Sequence, residues 1–296
     1  MKHGIVSIWF GLLSLVTFGQ THSEKINREF AFEEKSLANA LVVANINGNI
    51  KVEGYDGDKV IVQATRTIKA KNESRLEKGK KEIQLGVIDR ADSIILFVQG
   101  SCNAFGRINE RSQPRGEFEI HWGYTWNNRS PACDEAYDYT MDFVIRVPRS
   151  VHLSLSTINE GNIAVVGVTG IVNASNINGG IALKNLEREA NATTINGDVD
   201  IEFARNPQQD CRFYSLNGDI NTSFQKGLAA NLSFESFNGE LYTNVDRIES
   251  LPVKVEKLKE GDGIKFKVNG NRYKVGAGGV LLNFETFNGN VYLKEK

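Results

Sequence analysis

A short motif built on Asn-Gly recurs along the chain and constrains its fold more than any other feature. Its seven copies span 46–50, 158–163, 177–181, 195–199, 216–220, 237–241 and 287–291, and the second copy carries one inserted residue, Glu160. Apolar residues at alternate positions share one face of a strand. Asn-Gly supplies backbone with positive φ, at which a chain can turn. Each copy therefore predicts a strand, a turn and a second strand.

The polar residues of the motif are as regular as its apolar ones. The position before the first apolar residue is always Asn, Thr or Ser, at Asn45, Thr157, Asn176, Thr194, Ser215, Ser236 and Thr286. The residues predicted to form the turns are Asn47, Gly48, Asn178, Gly179, Asn196, Gly197, Asn217, Gly218, Asn238, Gly239, Asn288 and Gly289.

The spacing of the copies favours stacked coils. Five successive glycines, at 161, 179, 197, 218 and 239, are 18, 18, 21 and 21 residues apart. At about 3.3 Å per extended residue this spacing gives a coil roughly 60 Å around. One such coil cannot bury its inner face, whereas stacked coils share a core and would align the asparagines in a side-chain amide ladder. An antiparallel meander of Asn-Gly hairpins is the alternative. It accounts for the turns, but it accounts less well for the near-constant spacing of the motif.

The N-terminus has the pattern of a secretory signal peptide. Met1-Lys2-His3 precedes an apolar run over residues 5–16 and a junction of small and polar residues, which predicts cleavage near Gly19. The run is shorter than the roughly 20 residues of a membrane-spanning helix. We therefore expect a signal peptide over 1–19, an N-terminal tail over 20–34 and an exported protein that does not span the membrane.

The repeats also carry a family resemblance. The phrase Thr/Ser-[Ile/Leu/Phe]-Asn-Gly-x-[Ile/Val/Leu], downstream of Arg146-Val147-Pro148, resembles the bacterial putative-adhesin family of β-strand repeats, a domain of unknown function. The resemblance covers residues 35–296, most strongly 141–245. It implies an all-β fold of the right-handed β-solenoid or β-helix type, export, and a role at the cell surface or in the periplasm. It implies no catalytic residues, because that family has no established active site.

Insertions interrupt the predicted β-solenoid domain, 35–296, at about 66–140 and 247–276. The first insertion holds a charged segment with helical character over 72–82 and two strand-like runs over 83–88 and 93–98. The second alternates apolar and charged residues on either side of a Glu-Gly-Asp-Gly turn, which predicts a hairpin that projects from the final coils or covers them.

An aromatic segment lies between two of the cysteines of the mature chain. We expect Cys102 to pair with Cys133, because the two bracket a single irregular segment and exported proteins meet an oxidising environment; Cys211, in a strand-like run, is expected to be a buried free thiol. The candidate ligand-binding residues of the segment are His121, Trp122, Tyr124 and Trp126. Aromatic rings can stack on sugars or anchor a protein partner. Alternatively, they pack onto the first coil as a cap.

Three carboxylates follow the turn glycines in what the sequence suggests are successive coils, at Asp198, Asp219 and Glu240. In stacked coils they would lie about 5 Å apart, a spacing that suits calcium or a pair of glycosidase carboxylates. Acidic residues also suit an exposed turn without any further role. The chain lacks HExxH, GxSxG, CxxC and GxxxxGK motifs, which removes the usual residue sets for zinc proteolysis, serine hydrolysis, thiol redox chemistry and phosphate binding.

These observations predict a non-catalytic envelope protein that binds a surface glycan or an envelope protein and needs no cofactor. The formal net charge is −1 and no basic stripe is present, so nucleic acid is not expected as a partner. Two alternatives remain open from the sequence. One is a carbohydrate-active or calcium-binding protein that uses Asp198, Asp219 and Glu240, and the other is an accessory protein of envelope signalling or stress.

Overall fold

The computed structural model describes residues 19–33, 36, 38–107, 122–126, 136–252, 255–260, 263–268 and 271–296. The predicted signal peptide lies outside these residues except for Gly19. The strands are β1 (Gln20–Ala31), β2 (Ala40–Ala44), β3 (Ile50–Tyr55), β4 (Lys59–Ala70), β5 (Gln84–Asp89), β6 (Ser93–Gln99), β7 (Asn103–Arg107), β8 (Trp122–Trp126), β9 (Tyr137–Pro148), β10 (His152–Thr157), β11 (Ile163–Val166), β12 (Val172–Asn176), β13 (Ile181–Leu186), β14 (Ala190–Asn196), β15 (Val199–Phe203), β16 (Cys211–Asn217), β17 (Ile220–Phe224), β18 (Ala230–Asn238), β19 (Leu241–Thr243), β20 (Ile248–Leu251), β21 (Val255–Glu260), β22 (Gly263–Val268), β23 (Asn271–Val275), β24 (Val280–Asn288) and β25 (Val291–Glu295). One helix, α1, spans Glu73–Glu82. The predicted all-β class is confirmed.

Most strands belong to two large sheets, which we call A and B. Sheet A has the order β1-β4-β9-β3-β11-β13-β15-β17-β25-β19. Sheet B has the order β20-β23-β18-β24-β16-β14-β12-β10-β2-β6-β5. Two separate antiparallel pairs, β7–β8 and β21–β22, complete the described strands.

Each copy of the motif joins a strand of sheet B to a strand of sheet A, and we call such a pair of strands a repeat, named by its turn glycine. In the Gly197 repeat, for example, β14 ends at Asn196 and β15 begins at Val199. Corresponding strands of neighbouring repeats pair in parallel, as β15 does with β17 and β14 with β16. These parallel registers exclude the antiparallel meander for the repeats.

Alternate residues of both sheets form one hydrophobic core. Val199, Ile201 and Phe203 of β15 are buried, and the ring of Phe203 stacks on that of Phe224 in β17 with centroids 5.1 Å apart. Like residues thus repeat at the same depth in each layer. Burial of one large apolar side chain contributes about 1.5–3 kcal/mol, so the stack gains stability with every repeat added.

Spatial order and sequence order differ at the last repeat. The Gly289 repeat, made by β24 and β25, lies between the Gly218 and Gly239 repeats, because β24 pairs with β16 on one side and with β18 on the other. In sheet A, β25 likewise pairs with both β17 and β19. The expectation that successive copies occupy successive layers is therefore wrong at this point.

The N-terminal part of the chain extends the same two sheets. Residues 20–31, expected as a tail, form β1, which pairs with β4 along its whole length. The predicted insertion at 66–140 is not separate from the stack, because β4 and β9 continue sheet A while β6 pairs in parallel with β2 in sheet B. The predicted helix and two strands are confirmed as α1, β5 and β6, and the Asn72 side chain caps α1 by accepting the Arg75 N–H.

The second insertion, at 247–276, extends one sheet only. Its outer strands β23 and β20 continue sheet B beyond β18 in antiparallel pairing. Its inner strands β21 and β22 form the predicted hairpin. Among the described residues, sheet A ends at β19, which pairs with β25 alone. In the same part of the chain, no helix has the length and apolar character needed to cross a membrane.

Candidate binding surface

The turn asparagines form a side-chain ladder across the stack. In each step Nδ2 of one asparagine donates to Oδ1 of its neighbour over 2.8–3.2 Å, in the spatial order Asn47, Asn159, Asn178, Asn196, Asn217, Asn288 and Asn238. Each amide in the middle of the ladder both donates and accepts, so the turns are held in one register. The seven turns consequently present one continuous edge to solvent.

A second ladder lies inside the turns. The side chain of the Asn, Thr or Ser that precedes the motif is buried in six of the seven repeats. In five of them it donates to the carbonyl oxygen of a glycine in the neighbouring repeat. Thr194 donates to Gly179 at 2.9 Å, and Ser215 donates to Gly197 at 2.8 Å. Since a buried carbonyl without a partner costs free energy, these polar residues stabilise the turn from within.

Glycine is required at the turn for two reasons. Gly218 has φ +156°, and a Cβ added there would lie 2.1 Å from the carbonyl oxygen of Gly197 in the next layer. The positive φ disfavours any residue with a side chain. The close carbonyl oxygen excludes a Cβ unless the backbone shifts. The close approach of successive turns therefore depends on the glycine column.

The apolar residue that precedes each turn asparagine points outward in much of the stack. In spatial order these residues, which we call the outer ridge, are Ile158, Ile177, Ile195, Leu216, Phe287 and Phe237. Ile177 and Ile195 are 38% and 37% exposed, Leu216 is less exposed, and Phe287 and Phe237 at the end of the ridge are 44% and 73% exposed. Sequence reasoning missed this ridge, although strand alternation with the inward Thr or Ser before it was a usable signal.

The ridge ends in stacked aromatic rings where sheet A ends. Phe237 and Phe287 stack with centroids 4.8 Å apart and planes within 3° of parallel. After the same two turns, Tyr242 and Tyr292 stack at 5.2 Å, and Tyr242 is 46% exposed. We call these four residues the terminal aromatic patch.

Polar groups surround the patch. The Tyr242 hydroxyl donates to Oε2 of Glu240 at 2.8 Å, and this hydrogen bond raises the pKa of Tyr242. Glu240 and Asn238, on the turn between the two ring pairs, are both exposed. The terminal aromatic patch therefore lies beside an amide, a carboxylate and the edge strand β19.

One of the predicted ligand-binding aromatics of the first insertion, Tyr124, holds the β7–β8 hairpin on sheet B. The Tyr124 hydroxyl accepts the Val98 N–H and donates to the Ala44 carbonyl oxygen, each at 2.8 Å, and burial raises its pKa. The Phe105 ring lies between Phe97 and Trp122, with centroids 4.4 Å and 5.7 Å away. The Tyr124 hydroxyl therefore connects the hairpin to β2 and β6, a contact of the kind expected of a cap.

Trp122 is the other aromatic residue of β8 whose side chain is described. Trp122 is partly buried and has the guanidinium groups of Arg107 and Arg90 at 5.6 Å and 6.0 Å from its ring centroid, an arrangement typical of cation–π contact. His121 and the side chain of Trp126 lie outside the described residues. The binding role of His121, Trp122, Tyr124 and Trp126 thus stays a prediction.

The three carboxylates do not occupy three successive layers. Asn290 of the Gly289 repeat lies between Asp219 and Glu240, and the backbone N–H groups of Asn290 and Glu240 donate to Asp219 and Asn290 in turn. Asp198 likewise accepts the N–H of Asp219 at 2.9 Å. Asp198 and Asp219 are therefore acceptors that connect one turn to the next. Over the part of the chain that the structure describes, no group of three or more possible metal ligands is present.

Two of the three cysteines are described, and each is in the bonded or free state that the sequence predicts. Cys102 is disulfide-bonded, while Cys133, its predicted partner, lies outside the described residues. Cys211 is free and buried in β16, and burial raises the pKa of its thiol to about 12. A protonated, enclosed thiol is a poor nucleophile.

Comparison with known proteins finds similar solved structures at low sequence identity. A putative cell adhesion protein from Clostridium sporogenes ATCC 15579 is 11% identical, with a TM-score of 0.47 over 93% of this chain and 100% of that chain. A putative adhesin from Bacteroides fragilis NCTC 9343 is 12% identical, with a TM-score of 0.36 over 92% and 97% of the two chains. A putative adhesin from Parabacteroides distasonis ATCC 8503 is 9% identical, with a TM-score of 0.26 over 95% and 98%. No protein-family model matches the chain, and no curated protein matches its sequence.

Proposed function

We propose that this chain is an exported, non-catalytic binding module, built as a right-handed β-solenoid, that binds an extended polypeptide of the cell envelope at the terminal aromatic patch. The in-register parallel repeats support the solenoid, and the strong preference of parallel β-connections for one hand supports its handedness. The secretory pattern over residues 1–19 supports export. The carboxylates engaged between turns support a role without catalysis.

The observation that carries the proposal is the open end of sheet A beside exposed aromatic rings. Sheet B continues past β18 through β23 and β20, whereas sheet A stops at β19 among the described residues. An edge strand presents backbone groups on which another strand can pair. Phe237 and Tyr242, on either side of that last turn, are 73% and 46% exposed.

An extended polypeptide fits this surface better than a sugar does. Addition of a strand to an edge gains main-chain hydrogen bonds, and pockets or rings along the edge select its side chains. Every interior repeat already receives this pairing from the next repeat. The partner would therefore continue the parallel strand pairing that joins the sheet A strands of the seven repeats six times over.

The test is a selection from a displayed library of random peptides on the mature protein, residues 20–296, with counter-selection on a Phe237→Ser/Tyr242→Ser variant. We expect enriched peptides with alternating apolar residues that bind wild type and lose binding to the double variant. Ile195→Ser, at the same motif position in an interior repeat, is the matched control and should bind as wild type does. Circular dichroism confirms that all three proteins fold.

Two results contradict this proposal. Peptides that bind the double variant as well as wild type would place the binding surface elsewhere, and no enrichment would remove polypeptide as the partner. A glycan array on the same three proteins separates the other class of ligand. Selective glycan binding that is lost only in the double variant would keep the surface and replace the partner by a carbohydrate.

A further inference from the structure

The six described Asn-Gly pairs differ in one hydrogen bond that controls their chemistry. In an Asn-Gly sequence the glycine nitrogen can attack the asparagine side chain, because no Cβ shields that nitrogen. In five of the pairs this nitrogen is engaged, since its N–H donates to the carbonyl oxygen of the asparagine in the adjacent repeat. The five bonds are Gly48 to Asn159, Gly179 to Asn196, Gly197 to Asn217, Gly218 to Asn288 and Gly289 to Asn238.

The sixth pair, Asn238–Gly239, has no such bond among the described residues. The reason is directional: every glycine donates towards the β19 end of the stack, and the Gly239 repeat is the last in that direction. Its N–H therefore points to a layer that no described residue supplies. Asn238 is exposed and its side chain makes one hydrogen bond, from Nδ2 to Oδ1 of Asn288 at 2.9 Å.

A second observation shows that this last turn is held less firmly than the others. The Ser236 hydroxyl, equivalent to Thr194 and Ser215, is buried but has no hydrogen-bond partner among the described residues. In the interior repeats that position donates to a glycine carbonyl of the neighbouring layer. The Gly239 turn thus lacks both the outer and the inner hydrogen bond that fix its counterparts.

We infer that Asn238 is a site of spontaneous deamidation and isoaspartate formation. The Gly239 nitrogen attacks Cγ of Asn238, a bond forms between them, and the bond from Cγ to Nδ2 breaks. Ammonia leaves with the proton that the glycine nitrogen loses. Water then opens the five-membered imide at either carbonyl and leaves aspartate or isoaspartate, so atoms balance and no oxidant is needed.

The product alters the end of the stack. A carboxylate at 238 cannot donate to Asn288, which ends the amide ladder one step earlier, and it adds negative charge on the turn that carries Glu240. Isoaspartate also lengthens the main chain within the last strand pair. The added charge weakens the last repeat because like charges close together are unfavourable, and the longer main chain weakens it by changing the register of the strand pair.

The experiment is peptide mapping by mass spectrometry after incubation of the mature protein at mildly alkaline pH. Asn217–Gly218 and Asn288–Gly289 serve as controls within the same molecule. Loss of one hydrogen bond predicts deamidation at Asn238 about fivefold or more faster than at either control. In denaturant the three sites should react at similar rates, because the chain sequence around them is alike.

Equal rates at Asn238 and Asn217 in the folded protein would overturn the inference. A difference that persists in denaturant would overturn it too, because it would assign the rate to sequence and not to the open turn. The test requires no ligand, so its outcome is independent of whether the terminal aromatic patch binds a polypeptide.

Discussion

At the scale of single residues, the motif inverts the usual assignment of polar and apolar positions. Thr194 is fully buried, whereas Ile195, the next residue, is 37% exposed. The inversion follows from the turn: its glycine carbonyl points inward and needs a donor, and a hydroxyl one strand away supplies it. A polar residue thus belongs to the core here because it satisfies a backbone group that water cannot reach.

Thr194→Val tests this account, since it keeps the shape and removes the donor. The Gly179 carbonyl oxygen then loses its side-chain partner, and we expect a loss of about 1–3 kcal/mol in the free energy of unfolding, measured by urea denaturation. Thr193→Val, on the outer side of the same strand, is the matched control and should change stability by less than about 0.5 kcal/mol. Equal effects of the two substitutions would contradict a role for the buried hydroxyl.

Cys211 gives a prediction that depends on pH. Burial raises the pKa of its thiol to about 12, whereas an unfolded cysteine has a pKa of about 8.5. Between these two values the folded state keeps the proton that the unfolded state has lost. The folded state then binds more protons, and stability falls as pH rises through that interval. The difference in unfolding free energy between wild type and Cys211→Ala should therefore change with pH in this direction.

The same thiol should resist a thiol reagent at pH 8 until the protein is unfolded. Rapid modification of the native protein at Cys211, identified by peptide mapping, would show that the thiol is not enclosed. The disulfide-bonded Cys102 does not contribute to this reaction, provided that no reductant is present.

At the scale of elements, one buried arginine contributes to holding helix α1 on sheet A. Arg66 of β4 donates from Nη1 to the carbonyl oxygens of Lys80 and Ile83 at the C-terminal end of the helix, and its Nη2 lies 2.8 Å from Oε1 of Glu24 in β1. One side chain thus joins two strands and the helix end, where carbonyl groups lack partners within the helix.

Arg66→Met should loosen the helix without removing it from the fold. We expect a loss of about 1–3 kcal/mol in the free energy of unfolding and faster hydrogen exchange at the amides of α1. Arg75→Met, an exposed arginine of the same helix, is the control and should leave both quantities near wild type. Unchanged exchange in α1 after Arg66→Met would show that the packing of Leu76 and the hydrogen bond from Tyr137 to Glu82 are sufficient to hold the helix.

The elements also show where local sequence is sufficient and where it is not. Helix α1, strands β5 and β6 and hairpin β21–β22 follow from local patterns of charge, alternation and turn residues. The role of Tyr124 does not, because its hydroxyl binds backbone groups of β2 and β6 that lie 80 and 26 residues away. An aromatic residue in an irregular segment looks the same in sequence whether it anchors a hairpin or faces a ligand.

At the scale of the whole molecule, the repeats specify their layers but not the order of those layers. Six of the seven motifs share the Asn-Gly turn, and all seven supply an asparagine to the ladder. These residues therefore do not determine whether the Gly289 repeat or the Gly239 repeat pairs with the Gly218 repeat. What decides between them is the connection of residues 244–279, which continues sheet B with β20 and β23 before the chain returns. The open end of sheet A, and with it the terminal aromatic patch, arises from this insertion and could not be read from any single motif.

Deletion of residues 280–296 provides the strongest test of this order. In a simple stack the loss of the last motif would remove one terminal layer, whereas here it removes the layer that joins the Gly239 repeat to the rest. Strands β18 and β19 would lose their only parallel neighbours in the described stack. Strands β23 and β20 pair in antiparallel fashion with β18 and with each other, so they would lose their connection to the stack together with β18. We therefore expect residues 226–252 and 271–279 to lose protection from hydrogen exchange, while 38–107 and 136–225 keep it.

Deletion of residues 20–31 is the matched comparison, because β1 is an edge strand that pairs with β4 alone. Its removal should leave protection in both sheets beyond β4 close to wild type. If the chain shortened at 279 keeps protection in β18 and β23, then β18 has paired directly with β16. That outcome would mean that the repeats are interchangeable as neighbours, and that the connection, not the pairing, places the final motif inside the stack.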